Sequence, residues 1–191
     1  MTVRKLIALA TVVAGLTLPA SASAYYTSFD FTRQSNIAST LTIVWQPTPG
    51  HFATTSWRAG SGTSTDGCWI GHGWLPTGYY DLWGHWDNYN GAIAGRVFYL
   101  QNKPCWNGTW RTELFVHSEE TAGQGQYCPT AGDDPYCWEG ASDYYSNGCI
   151  KVSRSGYPSD LRLVHDGWHS KSSDYRHGYF TINNWLYVRD G

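Results

Sequence analysis

Two things are missing from this chain, and each removes a class of function. Clustered positive charge is the first: no basic patch of the kind that tracks a phosphate backbone is present, which speaks against nucleic acid as a partner. A membrane-length apolar segment is the second. The apolar run Leu6 to Leu18 has 13 residues, short of the roughly 20 that a spanning helix needs. Linkers and internal repeats are lacking too, so the chain reads as one domain.

The short apolar run has its own meaning. Arg4 and Lys5 precede it, and Ala22-Ser23-Ala24 supplies small residues for cleavage before Tyr25. This is the pattern of a secretory signal peptide over residues 1–24. The mature chain is then Tyr25–Gly191, or 191 − 24 = 167 residues, enough for a monomer with a real core and with no stable membrane anchor after cleavage. All 15 acidic residues fall in this part and two of the 13 bases do not, so its net charge is 11 − 15 = −4. Glu119-Glu120 is expected to be solvated surface.

Eleven Trp, 14 Tyr and 21 Gly favour strands joined by frequent turns. Strands are expected at Leu41–Trp45, Phe52–Trp57, Tyr79–Trp83, Arg96–Leu100 and Trp110–Val116, where Trp110, Thr112, Leu114 and Val116 would share one face. A last strand runs from Tyr179 to Val188, with a break at Asn183-Asn184. One helix is visible: Ser159 caps it, Asp160 suits its first turn, and Leu161, Val164 and Trp168 recur at intervals of three and four. The fold class is mostly β, a β-rich α+β domain with one late helix. His165 and His169 stand four apart on that helix, but Asp-Gly-Trp lies between them rather than the Glu-x-x of a metalloprotease. His51, His72, His85 and His177 show no ligand spacing, and no metal or other cofactor is expected.

Five cysteines in a secreted chain imply disulfides with one thiol left over. Cys128 and Cys137 bracket a polar loop whose closure stabilises by roughly 2–3 kcal/mol on the chain-entropy model. Cys68 and Cys105 each sit in a turn-rich segment before a Trp. Pairing each of these two sets leaves Cys149 free. The rival arrangement bonds Cys149 to Cys137 or Cys128.

A free Cys149 raises the question of catalysis. The thiolate is the attacking species, and with a reference pKa of about 8.5 little of it exists at neutral pH. A cysteine nucleophile therefore needs an imidazole within reach, and the oxyanion it creates needs convergent N–H donors. The turn Asn147-Gly148-Cys149, opening onto Ile150-Lys151-Val152, is built to present them.

The segment Ser146-Asn147-Gly148-Cys149-Ile150-Lys151, preceded by Phe115-Val116-His117-Ser118 at a strand end, resembles the L,D-transpeptidases of bacterial cell walls. Their signature is a strand-end His, a variable loop, then Ser-His-Gly-Cys. Leu75-Pro76-Thr77-Gly78 is similar to a further family segment that enters a strand. The resemblance implies a β-sandwich or barrel with one helix after the catalytic Cys. It implies Cys149 as the nucleophile and His117 as its base, oriented by Ser118 through its backbone carbonyl. The backbone N–H groups of Asn147, Gly148 and Cys149 would hold the oxyanion, with Ser146, Lys151, Trp74, Thr77 and Gly78 toward the substrate.

The substrate so implied is a peptidoglycan stem peptide at the cell wall, cleaved with transfer to an amine or to water and without a cofactor. The sequence departs from the family at Asn147, where a His is usual, at Lys151, where Arg or Asn is usual, and in a His–Cys gap of 149 − 117 = 32. Two other readings stand beside this one. A papain-like wall endopeptidase would pair Cys149 with His165 or His169. A non-enzymatic wall-binding protein would disulfide-bond Cys149 and use its aromatics on glycan.

Overall fold

A computed structural model of the chain describes residues 27–129, 134–156, 159–171, 178–179 and 184–191. The expected signal peptide lies outside these residues.

Alternation builds the first hairpin. In β1 (Thr27–Arg33) and β2 (Ser39–Thr48) the antiparallel register sets Phe29 opposite Ile43 and Phe31 opposite Leu41, all four fully buried on one face. Each such side chain stabilises the fold by roughly 1.5–3 kcal/mol. β2 continues into β3 (His51–Ser61). β4 (Gly78–Asn90) then pairs along one edge with β5 (Ala94–Leu100) and along the other with β10 (Gly178–Tyr179) and β11 (Trp185–Asp190).

Two short strands complete the ring, β8 (Phe115–His117) and β9 (Ile150–Val152). The order β4-β11-β1-β2-β3-β9-β8-β5 returns to β4, so eight strands close a barrel. β6 (Lys103–Pro104) and β7 (Trp110–Arg111) form a separate hairpin. The mostly β expectation is met, and α1 (Asp160–Lys171) is the one α-helix among the described residues.

α1 begins where Ser159 predicts. The Arg162 N–H donates to Ser159 Oγ at 3.3 Å, the bond an N-cap makes to the third helical residue. Leu161 is fully buried, and Val164 and Trp168 enter the barrel core, where the Trp168 ring stacks on Phe29 at 4.6 Å. The chain after α1 holds strands on both sides of residues 180–183; the expected break at Asn183 lies outside the described residues, while the Asn184 carbonyl accepts from Leu82 N–H at 2.8 Å.

Three expectations change. The single strand Trp110–Val116 is two strands, β7 and β8, because Glu113 adopts a left-handed backbone with φ 56° that no continuous strand accommodates. Trp110 is consequently exposed and Arg111 buried. Glu119 and Glu120 are not solvated: Glu119 pairs with Lys151, and Glu120 lies between Arg96 at 2.6 Å and Arg154 at 2.8 Å. The third is an omission, since β1 goes unassigned by sequence although Phe29 and Phe31 alternate with polar residues.

Cys68 bonds Cys105 and Cys128 bonds Cys137, with Cα separations of 5.4 and 5.0 Å; Cys149 is a buried free thiol. The first bridge ties the Ser64–Gly73 loop to the β6–β7 hairpin. Two disulfides fit an oxidising, extracellular compartment, and among the described residues no helix is long and apolar enough to cross a membrane.

Candidate functional site

The parallel pairing of β8 with β9 places the site. Its register sets Val116 beside Ile150 and His117 beside Lys151. Val116, Ile150 and Val152 point into the barrel core. Period-two alternation therefore turns Phe115, His117, Cys149 and Lys151 to the outer face. There His117, Ser118, Glu119, Cys149 and Lys151 line one open cleft of about 760 Å³, with Ser146 and Asn147 on its rim. The two residues expected as nucleophile and base thus share a cavity.

His117 has one nitrogen committed. Its Nδ1 lies 2.9 Å from the Ser118 carbonyl, which can only accept, so Nδ1 carries the hydrogen. The lone pair of a neutral ring then sits on Nε2. Burial, and secondarily the Lys151 charge, hold the imidazole down at about 3, against a small upward pull from the Ser118 carbonyl. At neutral pH it is an uncharged base. Ser118 acts as expected, through its main chain.

Cys149 is also neutral at rest. Its thiol donates to the Glu113 carbonyl at 3.6 Å, and burial pushes it up to about 11 despite the Phe115 backbone and the Arg111 and Lys151 charges. The left-handed turn at Glu113 that ends the strand is thus the turn that offers Cys149 its acceptor. The resting state is a neutral thiol and a neutral imidazole in one cleft, not a preformed ion pair.

The loop before Cys149 is held by Ser146. Its Oγ donates to the Cys149 carbonyl at 2.7 Å and accepts from the N–H groups of Gly148 at 3.1 Å and Gly62 at 2.9 Å. Ser146 therefore shapes the loop as well as lining the cleft. The Gly148 amide, expected to hold an oxyanion, is turned to Ser146. Gly148 has φ 118°, and a Cβ there would lie 2.0 Å from Arg111 Nη2. No other residue fits.

Arg111 went unnoticed in the sequence. Buried, it donates to the carbonyls of Gly67, Gly73 (2.9 Å) and Asn147 (3.2 Å), fastening the loop before Cys149 to the Gly67–Trp74 loop. Such carbonyl targets leave no trace in a sequence pattern. Lys151, expected to meet substrate, instead gives its ammonium to Glu119 inside the cleft. Burial raises Glu119 to about 7, with Lys151 pulling it back and Asp143 and Glu139 adding to the rise. The β8–β9 register that brings position 117 beside 151 explains this pair.

Trp74 and Thr77 lie elsewhere. They line a second cleft of about 400 Å³ with Arg33, Pro76 and Trp106, and Gly78 opens β4 under the Lys103 ammonium. His165 and His169 do not line the Cys149 cleft either. They face β4, with His165 Nδ1 at 3.2 Å from Asp87 and His169 Nε2 at 2.8 Å from His85. The papain-like pairing is therefore not assembled, and the reading that disulfide-bonds Cys149 fails on its free thiol. No family model, curated protein or solved structure matches the chain.

Proposed function

We propose that this protein is a secreted cysteine acyltransferase that acts on peptidoglycan stem peptides, in the manner of an L,D-transpeptidase or L,D-carboxypeptidase. One observation carries the reading: a free cysteine and a neutral histidine, its Nδ1 hydrogen spent on the Ser118 carbonyl, open into the same cleft. The motif likeness around Cys149 supplies the substrate class, and cell-wall association follows from that class.

The chemistry runs in two halves. His117 Nε2 takes the thiol proton as Cys149 Sγ attacks the carbonyl after the third, meso-diamino acid residue. The amides of Cys149 and Asn147 stabilise the oxyanion. Collapse breaks the C–N bond, His117 returns the proton to the departing D-alanine amine, and a thioester remains on Cys149. An incoming amine, or water, then loses its proton to His117, attacks the thioester and releases the thiol. Because both partners rest uncharged, proton transfer is coupled to attack rather than completed before it.

The test is a muropeptide assay followed by chromatography and mass spectrometry, using tetrapeptide substrate with and without a D-amino acid. Exchange product from wild type, and none from Cys149→Ala, supports transfer; tripeptide alone assigns the carboxypeptidase variant. Release of D-alanine by the Cys149→Ala variant at the wild-type rate refutes the proposal.

A further inference from the structure

On the side of the barrel where α1 crosses β4, four chemistry-bearing side chains meet that the proposed reaction does not use. His85 and Asp87 are two apart on β4 and so share a face. His169 comes from the last turn of α1, 169 − 85 = 84 positions later. Ligand atoms of all three lie within 4.8 Å of one another. We propose that His85, Asp87 and His169 form a binding site for a borderline divalent transition ion, zinc foremost, that clamps α1 to the barrel.

The geometry is one small opening away from convergence on an ion. His85 and His169 point the same atom, Nε2, at each other across 2.8 Å with rings nearly perpendicular at 75°. In a tetrahedral zinc site with N–Zn bonds of about 2.05 Å, two nitrogens stand about 3.3 Å apart, so the pair opens by about 0.5 Å to admit the ion. Two imidazoles and one carboxylate form a donor set that suits zinc and leaves a position for water. The hydrogen now shared between the two Nε2 atoms moves to an Nδ1 of the same ring on loading, so both lone pairs become available.

The second layer is also present. His165, buried one turn before His169, stands with Nδ1 3.2 Å from Asp87 Oδ1, the place that partners behind metal ligands take. Phe98 packs against both His85 and His165 and keeps the inner side dry. His85 is fully buried, while Asp87 and His169 are half-buried, which gives an ion a route from solvent.

The experiment strips the mature protein with chelator and titrates it with zinc by calorimetry, with cobalt as a spectroscopic probe. One zinc per chain is expected, with cobalt giving the visible absorption of a low-coordinate N/O site. Melting temperature should rise by roughly 5–10 °C at zinc a hundredfold above its Kd. Asp87→Asn and His169→Ala should each weaken binding tenfold or more, and Cys149→Ala should leave it unchanged. Absence of stoichiometric binding, binding unaltered in both ligand variants, or binding lost in Cys149→Ala overturns the assignment. Should His169→Ala fold poorly, Asp87→Asn alone decides it.

Discussion

The loop Thr63–Trp74 borders two clefts of different character. The larger combines the buried Cys149 thiol, the buried His117 imidazole and the Glu119 carboxyl, three groups whose ionisation is displaced by desolvation. The smaller carries two tryptophans, and one ring is already engaged: the Arg33 guanidinium lies 4.3 Å above Trp74 while also donating to the Leu75 carbonyl at 3.0 Å. Sequence had assigned both regions to the substrate. Displaced titrations gathered around a free thiol are the pattern the proposed reaction needs; an arginine-capped Trp is the pattern of a packed support.

Substitutions separate the two clefts by the size of their effects. Cys149→Ala should abolish product in the muropeptide assay, whereas Trp74→Phe should leave kcat/KM within about threefold and cost mainly stability through the weakened cation–π contact. A large kinetic loss in Trp74→Phe with Cys149→Ala still active would invert the comparison. His117→Ala should lower kcat by roughly 10²–10⁴-fold, the usual worth of a positioned base, with no comparable change in folding. Arg111→Ala should destabilise by about 3 kcal/mol as several loop carbonyls lose their donor, read as a fall in melting temperature together with reduced activity.

A smaller effect is expected in the pH dependence of stability. His117 is depressed to about 3 in the fold and about 6.5 unfolded. The unfolded chain therefore binds the extra proton in that window, and stability is lost as pH falls from 6.5 toward 3. Glu119 works oppositely: raised to about 7 from about 4.5, it contributes stability below 4.5 that is lost as pH rises through 7. Urea titrations of His117→Asn should show a shallower acid loss than wild type, and those of Glu119→Gln a shallower loss toward pH 8. Unchanged slopes in both variants would show that neither group is held as the fold suggests.

The smallest signal is alkylation of the free protein. Iodoacetamide should label Cys149 alone and slowly at pH 7, with a midpoint well above the reference 8.5, because the thiol is buried and its proton rests on the Glu113 carbonyl. Fast labelling near pH 6 would mean a preformed thiolate.

What the sequence made legible was local. Alternation at Leu41–Trp45 and Arg96–Leu100, the Ser159 cap and the Cys128–Cys137 loop all depend on neighbours a few residues away, and each appears in the fold. What it hid was set at long range. The Trp110–Val116 alternation looked continuous because a single positive φ at Glu113 has no pattern. Arg111 binds main-chain carbonyls from two loops, Glu119 meets Lys151 only through the parallel register of β8 and β9, and His85 meets His169 only once the barrel is closed. Cys149 and His117 were legible because their motif is short.

The most direct test of the central claim is to trap the intermediate. Wild type mixed with stem tetrapeptide is quenched in acid within one turnover, digested and mapped by mass spectrometry. The account predicts the tripeptide acyl group as a hydroxylamine-sensitive adduct on the peptide containing Cys149, absent from Cys149→Ala. An acyl group on another residue, or neither adduct nor product from wild type, would contradict it.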